Sequence, residues 1–220
     1  MHAKSQVFEK FKNLEGALVA GIVREQVQGA LHVDLGEVTG VLPEAEAIPG
    51  ERFQPGERID AYLVEAVVTP AGVTARLSRA APMFLVRVFE NAVPEIREGA
   101  VAIQAVAREA GSRAKLALRA LVPGLDPIET CAGVGGAQVR RVTEQLHGET
   151  VDLVRFSEDI EAFAREALLP LRVRTVSVDH EAHALRVKLA LLQRPMSHAQ
   201  RSQHVRLACS LTGWNIELQS

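Results

Sequence analysis

A glycine-rich loop at residues 133–136, Gly-Val-Gly-Gly, is the feature that most constrains how this chain can fold. The pattern after it predicts an amphipathic helix over 137–147 and an apolar strand over 149–156. Glycines at both ends of a loop that leads into a helix let backbone N–H groups and the positive helix terminus approach an anion closely. The loop is therefore predicted to hold phosphate groups.

The segment around this loop has an order of elements that the rest of the chain repeats. From residue 82 the pattern predicts a helix, two strands, a short helix, the glycine loop, a helix and a strand. A helix, two strands, a helix at about 201–211 and a last strand follow. Two successive units of similar size and order indicate an internal duplication.

The segment before these units has an all-β pattern. Alternating or apolar strands are predicted at 17–24, 29–35, 38–42, 58–68 and 72–78, with short turns between them. Five short strands in so short a segment fit a small closed barrel of the OB type. Residues 5–13 have a helical pattern, so residues 1–13 are predicted to form a helical tail or linker.

Charge and composition limit the partners of the chain. The net charge is -2, and residues 14–80 carry five basic against ten acidic side chains, so contact with a polyanion has to come from local basic clusters. No apolar run approaches the roughly 20 residues that span a bilayer. Cys131 and Cys209 lie far apart in apolar surroundings, which is typical of buried thiols in a reducing cytoplasm. We expect a cytoplasmic, monomeric protein without membrane contact.

The sequence does not contain the motifs that would indicate an enzyme. The loop lacks the three-glycine spacing of a dinucleotide-binding turn, and the nucleotide-binding motif G-x-x-x-x-G-K-[ST] does not occur. No ordered Ser, His and Asp set and no paired carboxylates stand out as a catalytic site. We expect no enzyme activity, no cofactor and no metal site.

Several stretches of the chain together resemble the NusA family of bacterial transcription termination/antitermination factors. They are D-L-G at 34–36, I-P-G-E-R-F-Q-P-G-E-R-I-D-A-Y-L at 48–63, L-S-R at 77–79, V-P-E-I at 93–96, A-V-A-R-E-A-G-S-R-A-K at 105–115, L-D-P-I-E-T-C-A-G-V-G-G at 125–136, V-R-F-S-E-D at 154–159 and L-T-G-W at 211–214. The resemblance implies an α+β multidomain fold, in which an OB-type barrel of the S-one class precedes two α/β KH modules of type II. The implied bounds are 14–80 for the barrel, 81–157 for the first KH module and 158–220 for the second. By this resemblance, the chain is expected to lack the family's N-terminal polymerase-binding domain.

The function that this resemblance implies is RNA binding during transcription. A family member is expected to contact nascent single-stranded RNA and to modulate pausing, termination and antitermination, with RNA polymerase and transcription factors as further partners. Ala199-Gln200-Arg201-Ser202 stands where the family has its second GXXG loop, so the second module is expected to have a weakened or lost backbone clamp. The alternative is a protein-interaction scaffold of the same family in which RNA binding has faded.

The residues expected to contact RNA fall into two sets. The first surrounds the glycine loop and consists of Gly133, Val134, Gly135, Gly136, Arg140, Arg141, Arg113 and Lys115. The second consists of Gln200, Arg201 and His204 near the altered second loop, and of Arg24, His32 and Arg52 on the barrel. For each set the alternative is an ordinary solvated surface, and the barrel strands offer no aromatic pair on which bases could stack.

Overall fold

The computed structural model describes residues 2–70 and 72–219, which pack into two compact units. The first unit consists of residues 1–92 with 144–148, and the second of 93–143 with 149–220. Residues 1, 71 and 220, which fall within the predicted segments 1–13, 14–80 and 158–220, lie outside the described residues. No helix in the described part of the chain is long and apolar enough to cross a membrane.

Five strands of the first unit close into a barrel in the order β1-β2-β3-β5-β4. They are β1 (Leu18–Val27), β2 (Ala30–Asp34), β3 (Thr39–Leu42), β4 (Arg58–Thr69) and β5 (Gly72–Ser78). Neighbouring strands are antiparallel except β3 and β5, which pair in parallel with Thr39 opposite Thr74. The closure needs close backbone approach, since a Cβ at Gly21 would lie 2.5 Å from a Val33 methyl.

A buried arginine joins the barrel to the helix that follows it. The guanidinium of Arg79 donates to both carboxylate oxygens of Glu51, at 3.0 and 2.9 Å, and lies 5.3 Å from the Phe53 ring centroid and 4.7 Å from that of Phe84. Helix α2 (Pro82–Ala92) carries Phe84 into this contact. Before the barrel strands, α1 (His2–Lys12) packs Phe11 into the barrel core. Charge and aromatic packing together therefore hold α2 on the barrel.

The second unit contains two three-stranded sheets of the same design, β6-β7-β8 and β11-β10-β9. In each sheet an antiparallel hairpin is followed by a helical segment and by a third strand that pairs in parallel. The elements are α3 (Pro94–Arg97), β6 (Val101–Glu109), β7 (Arg113–Ala120), α4 (Pro127–Ala132), α5 (Ala137–Gln145), β8 (Thr150–Arg155), α6 (Ile160–Leu168), β9 (Val173–Asp179), β10 (Ala184–Leu189), α7 (His198–Thr212) and β11 (Asn215–Gln219). We call the first of these halves, which contains the glycine loop, the first module, and the half that begins with α6 the second module.

The two modules share one hydrophobic core. Ala107, Ala117 and Val154 of the first module belong to the same buried cluster as Phe163 and Leu207 of the second. Because this cluster is continuous, separating the modules would expose apolar surface from both.

A fully buried ion pair fixes the hairpin of the first module. Arg108 and Glu149 have side chains that are 0% exposed, and the Arg108 Nε and Nη2 atoms each lie 2.9 Å from a Glu149 carboxylate oxygen. The same carboxylate accepts a hydrogen bond of 2.9 Å from the Gly111 N–H. Glu149 therefore ties β6, the tight turn after it and the start of β8 together.

We expect Glu149→Leu to lower the free energy of unfolding by about 3–5 kcal/mol, because it leaves the Arg108 guanidinium buried without its carboxylate. The chain's one tryptophan, Trp214, belongs to this unit, so urea unfolding followed by its fluorescence measures the loss. As a control, Glu158→Gln removes an exposed partner of Arg119 and should change the same quantity by less than about 1 kcal/mol. Equal effects of the two variants would contradict a structural role for the buried pair.

Candidate nucleic-acid interface

The glycine loop forms a single 3-10 turn between α4 and α5, and its backbone explains its glycines. Gly133 has φ 72° and ψ 171°, Gly135 has φ 57° and Gly136 has φ 79°. These conformations strain any residue with a Cβ, and that of Gly133 is essentially restricted to glycine. Val134 is 96% exposed at the tip of the loop. The loop is thus a small, open turn that a ligand backbone can approach.

A glutamine that the sequence analysis missed holds the loop in place. A Cβ on Gly133 would lie 3.0 Å from the Gln138 Cγ atom. The Gln138 amide nitrogen donates to the carbonyls of Thr130 and Cys131, at 3.1 and 2.8 Å, when the amide is oriented to satisfy both. Gln138 therefore satisfies carbonyls at the end of α4 and requires a glycine at position 133.

Asp126, which the sequence analysis also missed, fixes the start of α4. Its carboxylate accepts hydrogen bonds from the N–H groups of Ile128 at 2.8 Å and Glu129 at 3.3 Å, and pairs with Arg155 at 2.7 Å. The bond from Ile128, reinforced by Glu129 and Arg155, lowers the pKa of Asp126 below its ordinary value. An Asp followed by Pro127 is a recognisable helix start, and this signal could have identified it.

A cavity of about 620 Å³ opens beside the loop and is called the loop cavity below. Gly136, Val139 and Arg140 form one wall, and residues 151–154 of β8 form another. The remaining lining comes from Arg113, Lys115, Ile128, Ala132, Leu169, Pro170 and His204. Such a volume, largely apolar with a few polar groups, is in the range of ligand-binding clefts.

Arg140 and Arg141 are exposed on α5, next to the loop. Arg140 Nη1 donates to the Gly135 carbonyl, so its charge is held against the loop. Arg141 makes no hydrogen bond or ion pair within 2–70 and 72–219. Both positive charges therefore remain available to an anion that reaches the loop.

Arg113 and Lys115 line the loop cavity, but their charges are already paired. The Arg113 guanidinium bonds both carboxylate oxygens of Asp152 at 2.8 Å. Lys115 is 0% exposed, and its ammonium donates to the Leu169 carbonyl at 2.8 Å and lies 3.4 Å from Asp152. Burial lowers the pKa of Lys115, and Asp152 opposes that shift. The expectation that Lys115 contacts RNA is corrected, because its ammonium is enclosed and bonded within the protein.

The altered second loop is not a loop in the structure. Residues 199–202 form the first turn of α7, which begins after the N-cap residue Ser197. The Ser197 hydroxyl accepts from the Gln200 N–H at 3.1 Å, and the Gln200 side chain accepts from the Ser197 N–H at 2.9 Å. This capping box occupies Gln200, and Arg201 is half-buried with its Nε atom unpartnered.

His204 is not at the surface of that turn, where the sequence analysis placed it. It is only 4% exposed and lies in the wall of the loop cavity. Burial lowers its pKa to about 4, and the nearby charges of Lys115 and Arg113 act in the same direction, while Asp152 opposes them. The imidazole is therefore neutral near pH 7.

The predicted barrel residues lie among acidic side chains. Arg24 pairs with Asp34, and His32 stands opposite Glu25 in the β1–β2 ladder. Arg52 is exposed and lines a pocket of about 500 Å³. The same pocket is lined by Glu25, Glu44 and Glu51. Each of these three candidates therefore lies next to at least one carboxylate.

The thiol next to the glycine loop, that of Cys131, is unreactive near neutral pH. Cys131 is fully buried, and burial together with the Glu95 carboxylate raises its pKa to about 12. A thiol with so high a pKa is not a nucleophile near neutral pH. Within the described ranges, no group of three or more His, Cys, Asp and Glu side chains could hold a metal ion.

Comparisons with known proteins agree with the architecture around the loop. Residues 79–156 match the model of the NusA-like first KH domain. The transcription termination/antitermination protein NusA of Halalkalibacterium halodurans is 37% identical over 214 residues, which cover 97% of this chain and 56% of that protein. NusA of Thermus thermophilus is 36% identical over 217 residues, covering 98% and 56%. NusA of Mycobacterium tuberculosis is 37% identical over 223 residues, covering 97% and 64%. The chain thus spans less than two thirds of the length of these relatives.

Gly133→Ala should destabilise the protein more than Gly135→Ala. The alanine at 135 has open space around it and meets only the ordinary penalty of a left-handed backbone, about 1 kcal/mol. The alanine at 133 meets a region reserved for glycine as well as the Gln138 side chain, and should cost about 3 kcal/mol. Urea unfolding followed by Trp214 fluorescence compares the two, and equal costs would contradict the role given to Gln138.

The protonation of His204 should destabilise the folded protein. The unfolded chain takes up this proton near the ordinary value of 6.5, whereas the folded pKa is about 4. Stability is therefore lost as the pH falls from about 6.5 towards 4, and this contribution is constant below that range. NMR titration of the histidine Cε1–H signals, with His204→Asn to assign the resonance, measures the folded pKa. A midpoint near 6.5 would contradict the buried, neutral state.

Proposed function

We propose that this chain, a homologue of the NusA proteins over 97% of its length, is an RNA-binding transcription factor. It holds nascent single-stranded RNA on the glycine loop of its first module and thereby modulates pausing, termination and antitermination by RNA polymerase. It acts as a monomer in the cytoplasm and needs no enzymatic step. RNA polymerase and other transcription factors are its protein partners.

The observation that carries this proposal is the backbone of the glycine loop. Three glycines with positive φ form an open turn between two helices, and Arg140 and Arg141 stand exposed beside it. Such a loop clamps the sugar-phosphate backbone of a single strand, as GXXG loops of KH domains do. Since phosphates carry no sequence information, this contact binds many RNA sequences with similar affinity.

The fold class proposed from the sequence has support in the topology. The closed five-stranded barrel suits an OB-type domain of the S-one class over 14–80. The order of a helix, two strands, two helices and a strand suits a type II KH module over 81–157, and residues 79–156 match a KH model. The repeat of the mixed sheet in β9, β10 and β11 suits a second KH module over 158–220.

The second module contributes to this function without a backbone clamp of its own. Its residues 199–202 are helical, and the capping box already satisfies the backbone N–H groups of Ser197 and Gln200. RNA would therefore be held by the first module alone.

Restraint of the transcript gives a physical route to regulation. RNA held in extended form on the glycine loop cannot pair with another segment at the same time. Binding and folding of the emerging transcript therefore compete, and the affinity of the loop decides how long a segment stays unpaired. Such a competition changes when a hairpin forms behind RNA polymerase.

A second function, a protein-interaction scaffold with faded RNA binding, is favoured by the pairing of the basic side chains. Arg113 and Lys115 are bound to Asp152, and Arg24 is bound to Asp34. The barrel segment 14–80 carries five basic against ten acidic side chains, which repels phosphate. In this function the chain would retain the architecture of the family while partner proteins replace RNA.

The test is the double variant Gly133→Asp and Gly136→Asp, with binding of a short fluorescein-labelled single-stranded RNA followed by fluorescence anisotropy. Two carboxylates in the loop repel phosphates and block close approach, so we expect at least a tenfold loss of affinity. In the unaltered protein, affinity should fall steeply with salt, because bound phosphates release counterions.

The matched control is Gly99→Asp and Gly124→Asp. These glycines also have positive φ, at 76° and 79°, with no atom within 4 Å of an added Cβ, so the control adds the same charge to the same unit with less strain than at Gly133. Circular dichroism verifies that both double variants fold. Equal affinity of the two double variants would reject the glycine loop as the RNA site, and no RNA binding by the unaltered chain would favour the scaffold.

A further inference from the structure

His204 is a buried polar side chain whose hydrogen-bonding capacity is unused. It is 4% exposed, its Nδ1 atom is buried without a partner, and neither ring nitrogen makes a hydrogen bond to any residue of 2–70 or 72–219. Buried polar groups are nearly always hydrogen-bonded, and an exception calls for a functional or structural reason.

The position of His204 suggests what that reason is. It belongs to the second module but lines the loop cavity of the first, together with Gly136 and Arg140. Two residues that flank it on α7 hold it there, since Gln203 donates to Glu109 at 2.8 Å and Arg206 pairs with Glu109 at 2.9 Å. The histidine is therefore presented to the first module by a fixed helix.

The other charged groups near His204 are already satisfied by one another. Arg113 and Lys115 share Asp152, and Lys115 also donates to the Leu169 carbonyl. Burial and these two cations keep the imidazole neutral, so it offers one N–H donor and one nitrogen acceptor rather than a charge. The unused hydrogen-bonding groups of His204 in this wall of the cavity thus suit a ligand that presents a neutral polar edge.

We propose that His204 hydrogen-bonds a nucleobase that enters the loop cavity and so determines which base is preferred at that position. The inference rests on the proposed function, since it places the RNA backbone on the glycine loop. Ile128, Ala132 and Val139 offer apolar surface to the base, and His204 reads its polar edge. The first module thus binds the strand and the second module supplies base preference.

The test compares the affinities of fluorescein-labelled oligo(A), oligo(C) and oligo(U), each about ten nucleotides long. The unaltered protein should separate the tightest from the weakest by about three- to tenfold, the value of a single hydrogen bond. His204→Leu fills the same space without a hydrogen bond and should remove this separation. Its affinity should keep the same salt dependence, because the phosphate contacts remain.

Two further variants distinguish recognition from packing. His204→Asn restores a donor and an acceptor and should recover part of the separation. His198→Leu removes an exposed histidine from the first turn of the same helix and should leave the separation unchanged. Circular dichroism and urea unfolding establish that each variant is folded.

Each remaining outcome overturns a defined claim. Equal binding of the three oligonucleotides by the unaltered protein, or an unchanged separation in His204→Leu, overturns base recognition by His204 and leaves RNA binding intact. A uniform loss of affinity for all three in His204→Leu shows a packing role and also overturns it. No binding of any oligonucleotide by the unaltered protein overturns both this inference and the proposed function.

Discussion

The buried pair of Arg108 and Glu149 is the interaction on which the geometry of the second unit depends. Through the Gly111 N–H, the Glu149 carboxylate sets the tight turn after β6, and that turn begins with Glu109. Glu109 in turn binds Gln203 and Arg206 on α7. A sequence of polar contacts therefore runs from the interior of the first module to the helix of the second. A substitution that breaks the Arg108–Glu149 pair would therefore displace α7, which carries His204 to the loop cavity.

Much of the secondary structure follows from periodicity and turn residues. The predicted strand at 38–42 is β3, and the predicted strand at 72–78 is β5, because alternation and flanking turns are local signals. The parallel pairing of β3 with β5, which closes the barrel, joins residues far apart in sequence and leaves no local trace. The start of α7 was expected near 201 and lies at His198, since the capping box of Ser197 and Gln200 extends the helix.

The backbone geometry of the candidate site could be predicted from the sequence, whereas the burial of its side chains could not. Glycine is the residue that adopts positive φ most readily, so the loop sequence alone predicts this conformation. Gly133, Gly135 and Gly136 have it in the structure. Lys115 was expected to line an open groove for RNA, but both faces of β7 are covered. His204 was expected beside an exposed loop, yet it is buried and lines a cavity of the first module. Burial that arises between distant segments cannot be read from the spacing of charged residues.

The capped first turn of α7 also has an evolutionary consequence. Ser197 and Gln200 hold residues 199–202 in a regular helical turn, so this segment presents no open backbone loop. A glycine at position 199 alone would put a helix-breaking residue into the capped turn without forming a loop. An open loop at this position would need several substitutions together, each unfavourable alone, so the helical turn is expected to resist conversion into a loop. The difference between the two modules, an open glycine loop in one and a capped helix in the other, is then expected to persist as the sequence diverges.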